Sequence, residues 1–133
     1  MTTQIKDSGL QYCPKRGEIV YCDFSGYIAP EIIKKRPVVI INPRLPYRSG
    51  LVNVIPLSTT PPLYQTDYVV KLNNYYGVDT DKPQQYAKCD LMATVSLKRL
   101  DRFKVGYRKY TTFKMSEDDF TNILYGIKKA LGL

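Results

Sequence analysis

Three consecutive cations, Lys34, Lys35 and Arg36, stand directly before the apolar run at residues 38 to 41. Burying such charges without partners is costly, so the cluster either stays in water or meets an anion. Pro37 holds Arg36 in an extended conformation, and the guanidinium therefore projects from a defined point where loop becomes strand. Its planar fork can donate two parallel hydrogen bonds to the oxygens of a phosphate. The chemistry that these residues suggest is anion binding.

The composition favours an anionic partner without choosing one. The 133 residues include 20 Lys and Arg against 12 Asp and Glu, a formal net charge of +8. This balance attracts nucleic acid or an acidic protein. Between residues 98 and 114, Asp101 alone interrupts a series of seven cations: Lys98, Arg99, Arg102, Lys104, Arg108, Lys109 and Lys114. The length predicts one domain.

Several absences narrow the possible chemistry. There is no histidine, which removes the commonest general base and the commonest zinc ligand. Cys13, Cys22 and Cys89 form no CxxC pair, and an odd count without a secretory segment predicts reduced, mostly buried thiols in the cytoplasm. No apolar run approaches the roughly 20 residues of a membrane span. We expect a soluble cytoplasmic protein that uses neither metal nor cofactor.

Short β-branched and aromatic segments separated by turns predict about five to seven strands. Pro56 suggests that the third strand is an edge or carries a bulge. Residues 1 to 14 are interpreted as a tail or peripheral segment, and residues 15 to 133 as the domain. The predicted strands lie at 18 to 24, 37 to 42, 51 to 58, 67 to 72 and 86 to 97, with a further strand or hairpin at 103 to 113.

The end of the chain has a helical pattern. Ser116 followed by Asp119 resembles a capping box with an acid in the glutamate position. Apolar residues then recur at helical spacing, namely Phe120, Ile123, Leu124, Ile127 and Leu131. One amphipathic helix after several short strands predicts a mainly β fold, a small and strongly bent antiparallel barrel with a C-terminal helix.

A basic-Gly-acid opening at residues 15 to 18 precedes the first strand, Glu31 precedes Arg36-Pro37, and an apolar strand ends in Ser58. This order of short motifs resembles the MazF/PemK (Kid) family of type II toxins. Residues 88 to 90, Lys-Cys-Asp, match a triplet of the PemK branch. Three features depart from the family pattern: residues 33 to 35 replace small Gly-rich residues, Ser58 stands where Thr is commoner, and residues 73 to 86 look inserted.

The resemblance implies an SH3-like barrel that forms a homodimer and is neutralised by a cognate antitoxin. It also implies a sequence-specific, metal-independent endoribonuclease that cuts single-stranded RNA. The expected ends are a 2′,3′-cyclic phosphate or 3′-phosphate and a 5′-hydroxyl. An acidic antitoxin would complement the positive charge.

The resemblance assigns roles to individual side chains. Arg36 would stabilise charge on the phosphate, and Ser58 would donate a hydrogen bond to a phosphate oxygen, unless it only caps a turn. Glu31 is either a general base or a residue that pairs with a cation and holds its loop, and we favour the second role. Lys88 and Asp90 would bind phosphate and aid proton transfer, or form a surface ion pair of about 0 to 1 kcal/mol.

Further residues are expected to bind the RNA strand outside the scissile bond. Four cations would line its backbone and make affinity fall with salt: Lys34, Lys35, Arg44 and Arg48. Tyrosines in predicted loops could stack unpaired bases, namely Tyr27, Tyr47, Tyr64, Tyr75 and Tyr76.

Two other function classes stay open. A CcdB-like gyrase poison would share the barrel and act by binding a protein, although Trp is absent from this chain. A non-catalytic nucleic-acid-binding barrel would use Arg36 and the lysines only to hold phosphate.

Overall fold

The computed structural model describes residues 9 to 79, 81 and 84 to 133. Within these residues ten strands precede one α-helix, with short 3₁₀ turns at Cys89–Leu91 and Leu97–Arg99. The elements are β1 (Glu18–Asp23), β2 (Lys35–Ile40), β3 (Leu51–Ser58), β4 (Val69–Lys71), β5 (Tyr86–Lys88), β6 (Ala93–Ser96), β7 (Leu100–Asp101), β8 (Phe103–Gly106), β9 (Lys109–Thr111), β10 (Phe113–Lys114) and α1 (Glu117–Leu131).

The strands form one large antiparallel sheet and a separate hairpin. The sheet runs in the order β10-β1-β2-β3-β5-β4, with β6 on β3 and β7 on β1, while β8 pairs with β9. The predicted mainly β antiparallel fold with a C-terminal helix is therefore confirmed. The second strand differs from its predicted bounds, because it begins at Lys35 rather than residue 37 and ends at Ile40. Two of the three consecutive cations are consequently strand residues.

Both faces of the central strands are buried, which explains why the run at 38 to 41 is apolar throughout instead of alternating. Val39 packs on one side with Ile19, Ile55 and residues of α1. Val38 and Ile40 pack on the other side with residues of β1, β3 and β6. The start of β2 is thereby fixed by two hydrophobic clusters at once.

Pro56 lies in a central strand, so the edge interpretation of the third strand was wrong. β3 pairs with β2 on one side, and on the other side it changes partner. β6 contacts residues Leu51 to Val54, whereas β5 contacts Leu57 and Ser58. Pro56 occupies the interval between these two partners, where the missing backbone N–H costs no ladder hydrogen bond.

The helix begins as predicted, but Asp119 does not have the predicted role of the acid in a capping box. Ser116 is the N-cap, and its Oγ accepts a hydrogen bond from the N–H of Asp119. The side chain of Asp119 accepts hydrogen bonds from the segment after β4, while the N–H of Ser116 donates to the hydroxyl of Tyr76. Gly126 allows α1 to pack closely, since a Cβ there would lie 2.8 Å from Cys89 Sγ and from Val70 Cγ2.

The start of the described chain lies against the domain. The N–H of Leu10 donates to the carbonyl of Leu97, and the Leu10 side chain is buried in the cluster formed by β1, β2 and β6. Residues 1 to 8 of the predicted tail lie outside the described residues, and the domain boundary at residue 15 stays a prediction. No helix in the described part of the chain is long and apolar enough to cross a membrane.

Candidate active-site cleft

The register of β2 and β3 brings Arg36 and Ser58 together. Val38 lies opposite Pro56 in this antiparallel pair. Continuing the register by two residues places Arg36 opposite Ser58 at the end of the ladder. Side chains directly opposite on one face have Cβ atoms about 4.5 to 5.5 Å apart. Two residues separated by 22 positions in sequence therefore face the same point.

Arg36 and Ser58 line a cleft of about 180 Å³, which we call the Arg36 cleft. Its described lining is Glu31, Ile32, Ile33, Lys34, Arg36, Leu57, Ser58 and Lys88. Three cations thus face one carboxylate, so the cleft is positively charged. A phosphate fits both this charge and the two kinds of donor, guanidinium and hydroxyl.

Glu31 holds the loop between β1 and β2. Its Oε1 accepts a hydrogen bond from the N–H of Ile28 at 2.6 Å, and its own N–H donates to the Ile28 carbonyl at 2.9 Å. The loop-holding role that the sequence favoured is consistent with these bonds, but the partner is backbone rather than a cation. The carboxylate stays at the wall of the cleft because the turn holds it there.

Arg99 fixes the beginning of the same loop, which no sequence pattern indicated. Its Nη1 donates to the carbonyls of Asp23 and Ser25, at 2.9 Å and 2.8 Å. Its guanidinium also lies 5.0 Å from the centre of the Tyr27 ring, and Tyr27 packs edge-on against Phe24. Arg99 is one of many cations in its segment, and only the fold shows that it contacts residues 74 and 76 positions away.

Ser58 combines a turn role with a free donor. The N–H of Thr60 donates to Ser58 Oγ at 3.1 Å, as in the turn interpretation. This bond uses an acceptor position of the hydroxyl, so its O–H can still donate to a ligand in the cleft. The two roles that the sequence left open are compatible.

Lys88 and Asp90 differ in their position relative to the cleft. Lys88 ends β5 and lines the cleft, but the eight described lining residues do not include Asp90. Asp90 is exposed in the 3₁₀ turn that follows.

Cys22 lies opposite Arg36 in the β1–β2 register, and burial raises the pKa of its thiol to about 12. A thiol with such a pKa stays protonated and is a poor nucleophile.

The other predicted RNA contacts lie elsewhere. Lys35 points to the opposite side of β2 and lines a second cleft. Arg44 and Arg48 lie beyond the far end of β2, where they line a cleft of about 400 Å³ with residues 10 to 14. Their role in binding RNA stays a prediction.

The predicted stacking tyrosines differ in exposure. Tyr47 and Tyr64 are exposed, by 101% and 80%. Tyr27 packs against Phe24 and Arg99, and Tyr75 Oη accepts a hydrogen bond from the N–H of Asp79. Tyr76 is only 6% exposed, so the expectation that it stacks a base was wrong.

The segment that looked inserted is held by a buried carboxylate. Asp119 is fully buried and accepts hydrogen bonds from the N–H of Asn73 at 2.7 Å and of Asn74 at 3.2 Å. It also accepts from the hydroxyl of Tyr76 at 2.7 Å. The Ser116 N–H donates to the same Tyr76 oxygen. We call these five residues the Asp119 network; it ties the end of β4 to the start of α1.

Sequence comparisons give a family. The family described as PemK-like, MazF-like toxin of type II toxin-antitoxin system matches residues 15–131. A protein of Haemophilus influenzae, described only as uncharacterized, is 31% identical over 139 residues, which cover 91% of this chain and 92% of that protein. The putative uncharacterized protein YifN of Escherichia coli is 32% identical over 122 residues, 76% of this chain and 80% of its own length.

Solved structures share the fold. MazF from Deinococcus radiodurans superposes with a TM-score of 0.69 at 18% identity, covering 92% of this chain and 100% of that one. An endoribonuclease in complex with its cognate antitoxin, from a mycobacterial species, gives a TM-score of 0.65 at 20% identity, with 91% and 97% covered. These likenesses confirm the predicted architecture.

Proposed function

This chain belongs to the PemK-like, MazF-like family of toxins of type II toxin-antitoxin systems, and from that premise we propose that it is an endoribonuclease with its active site in the Arg36 cleft. The resemblance that the ordered motifs suggested is thereby confirmed at the level of the family. The observation that carries the activity is the juxtaposition of Arg36 and Ser58 in one cationic cleft. Superposable proteins are themselves named endoribonucleases.

We propose cleavage of single-stranded RNA by attack of a 2′-oxygen on the adjacent phosphorus. The P–O2′ bond forms and the P–O5′ bond breaks, which gives a 2′,3′-cyclic phosphate and a 5′-hydroxyl. Negative charge grows on the non-bridging oxygens during this step. Donors already aimed at those oxygens are the largest single contribution to such a reaction. Arg36 supplies two parallel donors and Ser58 a third.

The proton of the 2′-hydroxyl must go to a base, and the departing 5′-oxygen must receive a proton. Glu31 and Asp90 are the two carboxylates proposed for these transfers. The Glu31 carboxylate already accepts a backbone hydrogen bond that fixes its loop. Asp90 is exposed, lies two residues after Lys88 and stands outside the described lining of the cleft. We favour Asp90 as the group that takes the 2′-proton and returns a proton to the departing 5′-oxygen once RNA is bound. Lys34 and Lys88, which also line the cleft, would hold the phosphate.

The proposed partners follow from the family and from charge. A cognate antitoxin would neutralise the toxin, as named for the mycobacterial complex and for a MazE-MazF structure from Deinococcus radiodurans. With a formal net charge of +8 on this chain, we propose an acidic antitoxin. We also propose that the toxin acts in the cytoplasm as a homodimer.

The test is cleavage of a long single-stranded RNA by the purified protein in EDTA, with the ends mapped by primer extension. Discrete cuts by the wild type are expected. Arg36→Ala should lower kcat about 10²- to 10³-fold, while thermal unfolding stays nearly unchanged because Arg36 is half-exposed. Undiminished cleavage by Arg36→Ala would remove the active-site assignment. Intact RNA with folded wild-type protein would remove the endoribonuclease proposal and favour binding to gyrase or passive nucleic-acid binding.

A further inference from the structure

A second cleft lies on the other side of β2, opposite to the one that contains Arg36. It has a volume of about 590 Å³, and its walls come from β1, β2, the turn Leu97–Arg99 and the β8–β9 hairpin. We call it the hairpin cleft. Five cations line it, Lys35, Lys98, Arg99, Arg102 and Lys104, against the two acids Asp23 and Asp101. All four cations between residues 98 and 104 thus line one cleft.

The cations of the hairpin cleft differ in their hydrogen bonds within the protein and in their exposure. Arg99 donates to the carbonyls of Asp23 and Ser25, so it serves the loop. Lys35, Lys98, Arg102 and Lys104 are exposed. Asp101 accepts a hydrogen bond from the backbone N–H of Arg102 at 2.8 Å. A mostly exposed set of like charges around one concave surface repels itself and gains when an anion enters.

An aromatic ring lies in the same cleft. Tyr110 faces Lys104 across the hairpin, is 43% exposed, and has the guanidinium of Arg102 at 5.0 Å from its ring centre. Cationic grooves with exposed aromatic rings are typical of surfaces that bind single-stranded nucleic acid, because the cations contact phosphates and the rings stack on bases. A binding site for an acidic polypeptide would need the cations but no ring.

The two clefts are neighbours through β2. Arg36 lines one cleft and the adjacent Lys35 lines the other, because successive strand residues point to opposite faces. A strand of RNA that leaves the Arg36 cleft over the start of β2 therefore reaches Lys35 first. Val78, in the segment held by the Asp119 network, forms part of the far wall.

We propose that the hairpin cleft is a second binding site for single-stranded RNA, which holds the part of the substrate that flanks the cleaved bond. The choice of RNA as ligand rests on the proposed endoribonuclease function. The site acts on affinity for extended substrates and leaves the chemical step to the Arg36 cleft. It gives the basic run of the C-terminal half a binding role of its own.

The direct test is binding of a labelled 2′-O-methyl oligonucleotide of about 16 nucleotides, which cannot undergo attack by its own 2′-oxygen. Binding is followed by fluorescence anisotropy at several salt concentrations. The test variant is Lys98→Glu combined with Lys104→Glu. The matched control is Lys71→Glu combined with Lys128→Glu, exposed lysines outside the cleft lining. Either pair lowers the formal net charge from +8 to +4, since each substitution removes two units.

The test pair should weaken binding at least about tenfold and reduce the slope of log affinity against log salt by about 1.4, or 0.7 for each lost phosphate contact. The control pair should change affinity much less. Tyr110→Ala should weaken binding about fivefold or more. Tyr110→Phe should bind RNA as the wild type does, because stacking needs the ring and not the hydroxyl.

The outcomes separate this proposal from the proposed function. Equal binding by the test and control pairs would overturn the second site, even if RNA cleavage depends on Arg36. The proposal would also be overturned if the test pair binds RNA as the wild type does but no longer binds a polyglutamate peptide. That result would assign the cleft to an acidic protein. If the wild type fails to cleave RNA but binds it through Lys98 and Lys104, the hairpin site stands and the endoribonuclease proposal fails.

Discussion

The Arg36 cleft and the Asp119 network are both built from polar side chains, but they use hydrogen-bonding capacity in opposite ways. In the network, Asp119 is fully buried and accepts hydrogen bonds from Asn73, Asn74 and Tyr76. In the cleft, Arg36 is half-exposed at the wall of an open space, and Ser58 keeps its O–H for a ligand. Polar groups satisfied inside the protein stabilise the fold, whereas polar groups aimed at a cavity are available for function.

The comparison predicts that the two regions fail differently when they are mutated. The largest effect on stability is expected from Asp119→Ala, which leaves the buried hydroxyl of Tyr76 and the part-buried N–H groups of Asn73 and Asn74 without their acceptor. Each such group costs roughly 1 to 3 kcal/mol, and with partial relaxation we expect a loss of about 3 kcal/mol in the free energy of unfolding. The fall in Tm should be about 10 °C. Thermal and urea unfolding followed by circular dichroism measure both quantities.

Asp118→Ala is the matched control for Asp119, because it removes an exposed acid from the same first turn of α1. Its loss of helix-dipole interaction should cost about 0.5 kcal/mol. Equal destabilisation by the two variants would mean that Asp119 acts only as a helix-terminal charge. Destabilisation by Arg36→Ala as large as that by Asp119→Ala would erase the distinction between the two regions.

Ser58 tests the functional side of the comparison. Ser58→Ala removes one of the donors proposed to bind the phosphate, and a hydrogen bond to a charged group contributes about 1.5 to 3 kcal/mol. The cleavage rate should therefore fall about 10- to 100-fold. Ser58→Thr keeps the hydroxyl and should retain most of the rate. Single-turnover cleavage of one RNA by the three proteins gives the comparison, and equal loss in both variants would show that the Ser58 hydroxyl does not contact the phosphate.

A smaller effect is expected at Glu31, where the choice lies between base and loop anchor. Glu31→Gln keeps an oxygen that can accept from the N–H of Ile28 but cannot take a proton. We expect less than about a threefold change in the cleavage rate, against the roughly 10²- to 10⁴-fold loss typical of a missing general base. Glu31→Ala should be worse than Glu31→Gln, because it also releases the turn. The reverse order, or a large loss in Glu31→Gln, would make Glu31 the base.

The strands and the helix could be predicted from the sequence better than the contacts between them. The β-branched runs and the Ser116 cap are local signals, so the strands and the helix start could be found. The position of Arg36 opposite Ser58 depends on the register of β2 against β3, which no local sequence pattern specifies. Asp119 was interpreted as a capping acid because its partners at residues 73 to 76 are about 45 positions away. Arg99 looked like one cation in a basic run for the same reason.

Two buried thiols offer the finest test of the comparison, because one lies opposite Arg36 in the β1–β2 register and the other contacts α1. Cys22 pairs with Arg36 across β1 and β2, whereas Cys89 donates weakly to the carbonyl of Ile123 in α1. Burial raises the pKa of each thiol to about 12, so at pH 8 only about one molecule in 10⁴ carries either thiolate. Alkylation at this pH therefore reports local opening rather than intrinsic reactivity.

Asp119→Ala should accelerate alkylation of Cys89 more than that of Cys22, since it loosens the contact between α1 and the segment after β4. Arg36→Ala should change neither rate by more than about twofold, because Cys22 is held by the two strands and not by the arginine side chain. Mass spectrometry of the alkylated peptides measures both sites in one sample. A faster rate at Cys22 alone in Asp119→Ala would show that the network supports the cleft from a distance, and the two regions would then form one unit.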